Sequence, residues 1–292
     1  QKDVETAYRE FQAGNLDVAQ VPTNQLSDAI EQYGESEDGY TATPGHQVLT
    51  GDELSIYYLL LNLEDPVLQD LDLRRALSLA VNREAIREPA SGIVPNGVPG
   101  YTENMWADSH YDVEAAKEIL DAKYPADADG NRGITIDLTY NLDGDHKTVI
   151  EMVMADWNAV GIQTTSSTAE WASIITNAYP NGDFQVGRLG WIADYPIYDN
   201  FMHPLFVTGG DNNYGKYSNA DVDAGMLEAR AMLDDAERIA KFQEVDKLVA
   251  ADMPVIPLFV YKHQLVCSDR VDGLYMDAQK LADLSTCELV EE

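Results

Sequence analysis

Strand-like and helix-like stretches alternate along residues 112–191, and this alternation limits the possible fold more than any other feature of the chain. In ITIDLTY, residues 134–140, apolar side chains recur at every second position, as in a half-buried strand. Residues 147–160 place Val149, Ile150, Val153 and Trp157 on one helical face. IQTTSST and FQVGRLGW predict further strands, with a helix between them. This order predicts an α/β protein.

The flanking segments extend the same pattern. LSIYYLLLNL reads as a buried strand because it is apolar without alternation, and LDLRRALSLAVNREAI carries one apolar helical stripe. PVIPLFVY predicts a strand that is peripheral where its prolines enter. Residues 89–111 are rich in Gly and Pro and predict a long ordered loop. Helices are also predicted over residues 6–13, 112–123, 221–233 and 235–250.

The chain is strongly acidic. Nineteen Lys and Arg against 51 Asp and Glu give a formal charge of 19 − 51 = −32. Such a field repels phosphate backbones and anionic lipid surfaces, so nucleic-acid binding is not expected. No apolar run approaches the roughly twenty residues of a membrane-spanning helix. The chain opens on a helix-like stretch instead of a signal peptide, so we expect either a cytosolic protein or one whose leader is absent from this sequence.

The two cysteines, Cys267 and Cys287, lie in the last part of the chain, each beside strand-like residues. Export would favour a disulfide between them, and two buried thiols are the alternative. Neither has the Cys/His spacing of a zinc site. We therefore expect no metal and no cofactor.

The segment GRLGWIADYP, residues 187–196, combines Arg188, Trp191 and Asp194. An aspartate can pair with an ammonium, an arginine can hold a carboxylate, and an indole can cover the atoms between them. The segment therefore suits a small zwitterion such as a peptide. Two ordinary interpretations stay open: Asp194 as a turn or cap residue before Pro196, and Arg188 in an internal salt bridge, for instance with Asp194.

Seven strings in order carry a family resemblance: FQAGNLDVAQVP, DLDLRRALSLAVNREAI, DVEAAKEILDAKYP, ITIDLTYN, ADWNAVGI, GRLGWIADYP and DMPVIPLFVY. Together they resemble the second half of the oligopeptide- and dipeptide-binding proteins of ABC importers, the extracellular solute-binding proteins of family 5. The resemblance implies a periplasmic-binding-protein-like fold of type II, in its peptide-binding cluster. It places part of a first lobe at 1–55, a complete second α/β lobe at 56–262 and a crossing back at 263–292. It also implies that this sequence lacks an amino-terminal half.

The resemblance assigns roles to residues of this chain. It implies that Asp194 pairs with the ammonium of a ligand and that Arg188 meets a carboxylate or lines the cleft. It implies that His146 can meet the carboxylate of longer peptides, although a solvated helix start is an alternative. Trp171 and Trp191 would line pockets, or would instead pack in the core.

Tyr57 and Tyr58 would enter the cleft region of the second lobe. Since neighbouring strand residues point to opposite faces, at most one of the two can face the ligand.

The function implied is capture of extended peptides between two lobes and delivery to a membrane permease. Other solutes of the family, namely oligosaccharides, nickel chelates, haem or opines, are the alternative. An enzyme is not expected, because the chain has no G-x-S-x-G, no H-E-x-x-H and no Gly-rich phosphate loop. The family further implies an exported monomer on the extracellular face of the membrane or in the periplasm, held by a lipid anchor on the missing part.

Overall fold

The computed structural model describes residues 3–290, which form two compact units. Ser55–Val260 form the larger unit. Residues 3–54 together with 261–290 form the smaller one, which is built from both ends of the described chain. The chain therefore passes between units at 54/55 and at 260/261. The assignment of these parts to the lobes of a longer protein stays a prediction.

The helices and strands follow in chain order. The helices are α1 (Val4–Gln12), α2 (Leu26–Tyr33), α3 (Leu71–Leu79), α4 (Arg83–Ile86), α5 (Val113–Lys123), α6 (His146–Ala159), α7 (Trp171–Ser173), α8 (Tyr179–Asn181), α9 (Asp199–Phe206), α10 (Ala220–Ala231) and α11 (Asp235–Asp252). The strands are β1 (Val18–Gln20), β2 (Thr41–Ala42), β3 (Val48–Leu49), β4 (Ser55–Leu61), β5 (Thr135–Tyr140), β6 (Gln163–Thr168), β7 (Val186–Ile192), β8 (Val255–Phe259), β9 (Leu265–Cys267), β10 (Val271–Asp272), β11 (Leu274–Met276), β12 (Ala282–Asp283) and β13 (Glu288–Leu289).

A five-stranded mixed sheet, in the order β6-β5-β7-β4-β8, forms the centre of the larger unit. β5 runs parallel to β6 and β7, and β4 runs antiparallel to β7 and β8. Every residue of β4 is buried, which explains its uninterrupted apolar sequence. β8 lies at an edge, where a strand can accommodate the missing N–H of Pro257. The predicted α/β class is confirmed.

Buried polar side chains tie the helices to this sheet and to one another. Trp157 of α6 donates its indole N–H to the carbonyl of Leu77 in α3 over 3.0 Å. Arg83 is 1% exposed and donates to the carbonyl of Pro257 in β8 and to both oxygens of Ser78. Because its partners are neutral acceptors, burial lowers the pKa of Arg83 to about 9.

The structure adds elements that the sequence analysis did not predict. α2 is a short helix in a stretch for which no element was predicted, and α9 contains Pro204. The helix predicted between the strands IQTTSST and FQVGRLGW is present, but residues 174–178 form a π-helical turn between α7 and α8. No helix within residues 3–290 is both long and apolar enough to cross a membrane.

The smaller unit contains short sheets in the orders β1-β9-β3, β12-β11-β2 and β10-β13. Cys267 ends β9 and is fully buried, and Cys287 packs against the same apolar cluster as a half-buried residue. Both are free thiols in the structure. Burial is the main reason that the pKa of Cys267 is raised to about 12, and the nearby Cys287 adds to it. The disulfide stays a prediction.

Candidate functional site

The sequence-predicted site residues of the larger unit gather at one edge of its sheet. β5, β6 and β7 run parallel, so their carboxyl ends meet there, and the segments that leave them carry Asn141, Trp171 and Asp194. The carboxyl edge of parallel strands is where α/β sheets generally bind ligands. We therefore treat this edge as the candidate site.

Arg188 is the buried cation of the site. It lies in β7 opposite Leu59 of β4 and is 8% exposed. Its Nε and Nη2 both donate to Oδ1 of Asn141, over 2.9 and 2.5 Å. None of the described carboxylates forms an ion pair with the guanidinium. The internal salt bridge considered for Arg188, including one to Asp194, is therefore not formed in this structure.

Two aromatic rings make cation–π contacts with the guanidinium of Arg188. Its Cζ lies 4.7 Å from the ring centre of Trp171 and 6.0 Å from that of Tyr57, both within the range of cation–π attraction. Tyr179 donates its hydroxyl to the carbonyl of Arg188 over 2.7 Å. The β5–β7 ladder ends at Gly187, so this hydroxyl serves the next carbonyl along the strand. A side chain at Gly187 would place its Cβ 2.5 Å from the same hydroxyl oxygen.

His146 begins α6 and lies beside Tyr57, with 5.6 Å between ring centres. Burial is the main cause that lowers the pKa of His146 to about 3; the charges of Arg188 and Arg87 act in the same direction, and Asp143 opposes them. The imidazole is therefore neutral at physiological pH. Its buried Nδ1 has no hydrogen-bond partner within residues 3–290.

Arg87 is a second cation near this cluster and was not predicted. Its guanidinium lies 4.7 Å from the ring centre of Phe259, which stacks on Tyr57 at 4.6 Å. Arg87 also forms an ion pair with Asp145, directly before α6. Arg87 thus fixes both the aromatic stack and the loop that carries Asn141.

Trp191 and Asp194 are held by a different residue, Asn200 of α9. Oδ1 of Asn200 accepts from the indole N–H of Trp191 over 3.1 Å and from the backbone N–H of Asp194 over 3.0 Å. Asn200 is 1% exposed, whereas Asp194 is exposed. The loop is thus fixed through its backbone, and the Asp194 carboxylate is left toward solvent.

The predicted residues and the asparagines that contact them therefore form two groups. The first, which we call the arginine cluster, contains Arg188, Asn141, Trp171, Tyr57 and His146. The second, the aspartate loop, contains Trp191, Asp194 and Asn200. Sequence reasoning missed the two asparagines. One signal for Asn141 was available, because it directly follows a predicted strand at the edge where ligands bind.

No group of three or more His, Cys, Asp or Glu side chains in the described part of the chain could hold a metal ion.

Comparison with known proteins gives the family. Residues 1–213 match the model for "Bacterial extracellular solute-binding proteins, family 5 Middle". The heme-binding protein A of Haemophilus influenzae is 28% identical over 267 residues, covering 88% of this chain and 46% of the relative. The oligopeptide-binding protein OppA of Bacillus subtilis is 25% identical over 285 residues, covering 93% and 50%.

A solved structure, OppA of Burkholderia pseudomallei, superimposes with a TM-score of 0.79 and 27% identity. The match covers 99% of this chain and 57% of that one. The chain thus spans about half the length of the relatives it matches. Family model and superposition agree with the type II binding-protein fold that the motifs implied. The chain belongs to the bacterial extracellular solute-binding proteins of family 5.

Proposed function

We propose that this chain is the second half of a two-lobed importer component. The complete component would capture peptides and pass them to a membrane permease. Arg188 is the observation that carries the proposal. A buried guanidinium costs several kcal/mol to desolvate unless an anion compensates it. In a chain of net charge −32, none of the described carboxylates does so. The carboxylate of a ligand is the natural partner.

Asp194 supplies the second half of the proposal. Its carboxylate is exposed on a loop whose backbone is fixed by Asn200, so it is available to an ammonium group. A cation and an anion carried by one strand and the loop after it match the two ends of a peptide zwitterion. Trp191, Trp171 and His146 would line the site between them, and the fully buried Tyr57 would pack against Arg188. The backbone of the ligand would bind as an added strand in the manner of β-augmentation.

The remaining properties follow from the same proposal. Residues 1–55 would be part of a first lobe that a longer chain completes, and residues 263–292 would cross back to it. Closure of the lobes would present the loaded protein to the permease. The protein would be an exported monomer without catalytic activity, anchored by lipid at the membrane surface or free in the periplasm.

Replacing Asp194 tests the ammonium role. In the longer, two-lobed protein, Asp194→Ala should weaken binding of a free tripeptide at least about tenfold, because a hydrogen-bonded charge is lost. Binding of the N-acetylated tripeptide should hardly change, since that ligand has no ammonium. Isothermal titration calorimetry measures both. Equal losses for the two ligands would remove Asp194 from this role.

A second candidate is a solute with carboxylates and no ammonium. The Haemophilus relative is named for binding haem, and haem carries carboxylates that Arg188 could hold. Mass spectrometry of ligand that co-purifies with the two-lobed protein separates the candidates. Recovery of haem or another non-peptide solute, with no peptide, would replace the peptide proposal.

A further inference from the structure

The side chain of Asn141 hydrogen-bonds to the guanidinium of Arg188. Oδ1 of Asn141 takes the side edge of the guanidinium, formed by Nε and Nη2. A carboxylate could take the same edge with two parallel bonds and would neutralise the cation. The amide occupies that edge without a charge.

The orientation of the Asn141 amide is set from both ends. Its Oδ1 faces the two donors of Arg188, and its Nδ2 donates to Asp143 over 3.0 Å. The reverse orientation would point N–H groups at a guanidinium, which has no acceptor. The amide therefore stands between the cation and the exposed Asp143 carboxylate, and it separates the two charges.

The other edge of the guanidinium stays open. Nη1 of Arg188 has no hydrogen bond to a described residue, and it is not one of the buried polar atoms that lack a partner. It is therefore reachable from solvent. Nη1 with the second Nη2 hydrogen forms an end-on fork that suits a bidentate carboxylate.

The other groups that face Arg188 leave its charge intact. Trp171 and Tyr57 contribute ring faces, and His146 contributes a neutral imidazole. Asp143 reaches the guanidinium only through Asn141, and Asp145 is engaged by Arg87.

We propose that Asn141 is a specificity-determining residue, a neutral side-edge partner that leaves the positive charge of Arg188 unpaired and turned end-on toward the carboxylate of a ligand. This inference rests on the proposed function, because it assumes that Arg188 meets that carboxylate. It adds that a single amide-to-carboxylate change would switch the site off.

The test compares trialanine as the free acid with its C-terminal amide, by calorimetry on the two-lobed protein. The unchanged protein should favour the free acid at least about tenfold. Asn141→Asp should reduce this preference to about onefold, since the introduced carboxylate pairs with Arg188. Asn141→Ala should keep most of the preference, because the guanidinium remains unpaired. Asn158→Asp, the matched control, makes the same change at an exposed asparagine of α6 whose side chain donates to Thr164, and should leave the preference unchanged.

The outcomes separate the two levels of the proposal. If Arg188→Gln keeps the preference for the free acid, or if the unchanged protein shows none, the proposed function fails and this inference with it. If Arg188→Gln abolishes the preference but Asn141→Asp retains it, only the inference about Asn141 is overturned. If Asn141→Ala loses the preference as fully as Asn141→Asp does, the residue acts by position alone and the role in charge is refuted.

A second measurement needs no ligand. Carboxyl carbon NMR on the Asn141→Asp chain should show the introduced carboxylate titrating below the ordinary aspartate range, because Arg188 stabilises its charged form. An ordinary pKa would mean that no pair forms, and would refute the inference.

Discussion

The arginine cluster and the aspartate loop carry opposite charges on the same strand and its extension, but they are built in opposite ways. The guanidinium of Arg188 is buried, bonded through two nitrogens to one amide and flanked by two rings. The carboxylate of Asp194 is exposed, and only its backbone is fixed. One charge is held in place before any ligand arrives, whereas the other is merely accessible.

The difference matters because the free energy that an ion pair contributes depends on how far its charges are shielded from water. Exposed pairs contribute about 0.2–1 kcal/mol, while truncating one partner of a buried pair costs about 2–5 kcal/mol. Arg188 is already desolvated, so a carboxylate that reaches it gains the larger effect. An ion pair at Asp194 reaches the larger free energy only when the bound ligand or a second lobe excludes water from its carboxylate. The cation end should therefore dominate affinity, and the anion end should add discrimination once the site is covered.

The largest expected effect is that of Arg188→Gln in the two-lobed protein. Loss of the buried guanidinium should weaken binding of a free-acid tripeptide at least about 30-fold, the lower end of the range for a buried charge pair. Calorimetry measures the loss. Arg75→Gln is the matched control: it removes the same charge from a half-exposed surface pair with Asp108 and should leave affinity unchanged. Comparable losses in both variants would show that only net charge matters and would erase the contrast between the two regions.

A smaller effect is expected from Asn200→Ala, which releases the aspartate loop without touching Asp194. Two hydrogen bonds are lost, those from Trp191 and from the backbone of Asp194. At about 0.7 kcal/mol each in net terms, or about 1.4 kcal/mol for the two, affinity for a free peptide should fall about tenfold. The N-acetylated peptide should lose less, since the loop serves the ammonium.

Asn213→Ala provides the control for that variant. Asn213 is a buried asparagine that bonds the backbone of Val207 and Tyr217, away from both regions. It should lower stability in thermal unfolding while peptide preference stays intact. If Asn213→Ala reduces the preference for free over acetylated peptide as Asn200→Ala does, the loss reports general destabilisation and Asn200 has no special role.

The sequence was informative where a local pattern determines the structure. Period-two apolar residues predicted β5, a continuous apolar run predicted the buried β4, and prolines predicted the edge position of β8. Arg188 and Asp194 stood out because their charges lie close together in an apolar segment. These features depend on near neighbours in the chain.

The partners of those residues could not be predicted in the same way. Asn141 meets Arg188 because β5 and β7 pair with Leu138 beside Val186, a register formed between segments 48 residues apart. Asn200 meets Asp194 because α9 forms despite Pro204, a residue that argues against a helix. The sequence thus indicated the charges of the site, whereas tertiary pairing supplied the neutral amides that hold them.

The smallest expected effect is that of His146 on the pH dependence of stability. In the arginine cluster, this imidazole stays neutral beside the charged Arg188. Its folded-state pKa of about 3 lies below its ordinary 6.5, so the unfolded chain binds the proton first as pH falls. The stability it contributes is present above pH 6.5 and is lost as pH falls toward 3.

His146→Gln should therefore reduce the fall in unfolding free energy between about pH 7 and pH 5 by about 1 kcal/mol, allowing for the half-buried ring. Urea unfolding at several pH values measures the slope, and His110→Gln, at an exposed histidine outside both regions, is the control. Equal slopes for His146→Gln and the unchanged chain would mean that the imidazole accepts a proton beside Arg188. The cluster would then hold a second cation at mildly acidic pH, and its affinity for carboxylates should rise as pH falls instead of staying constant.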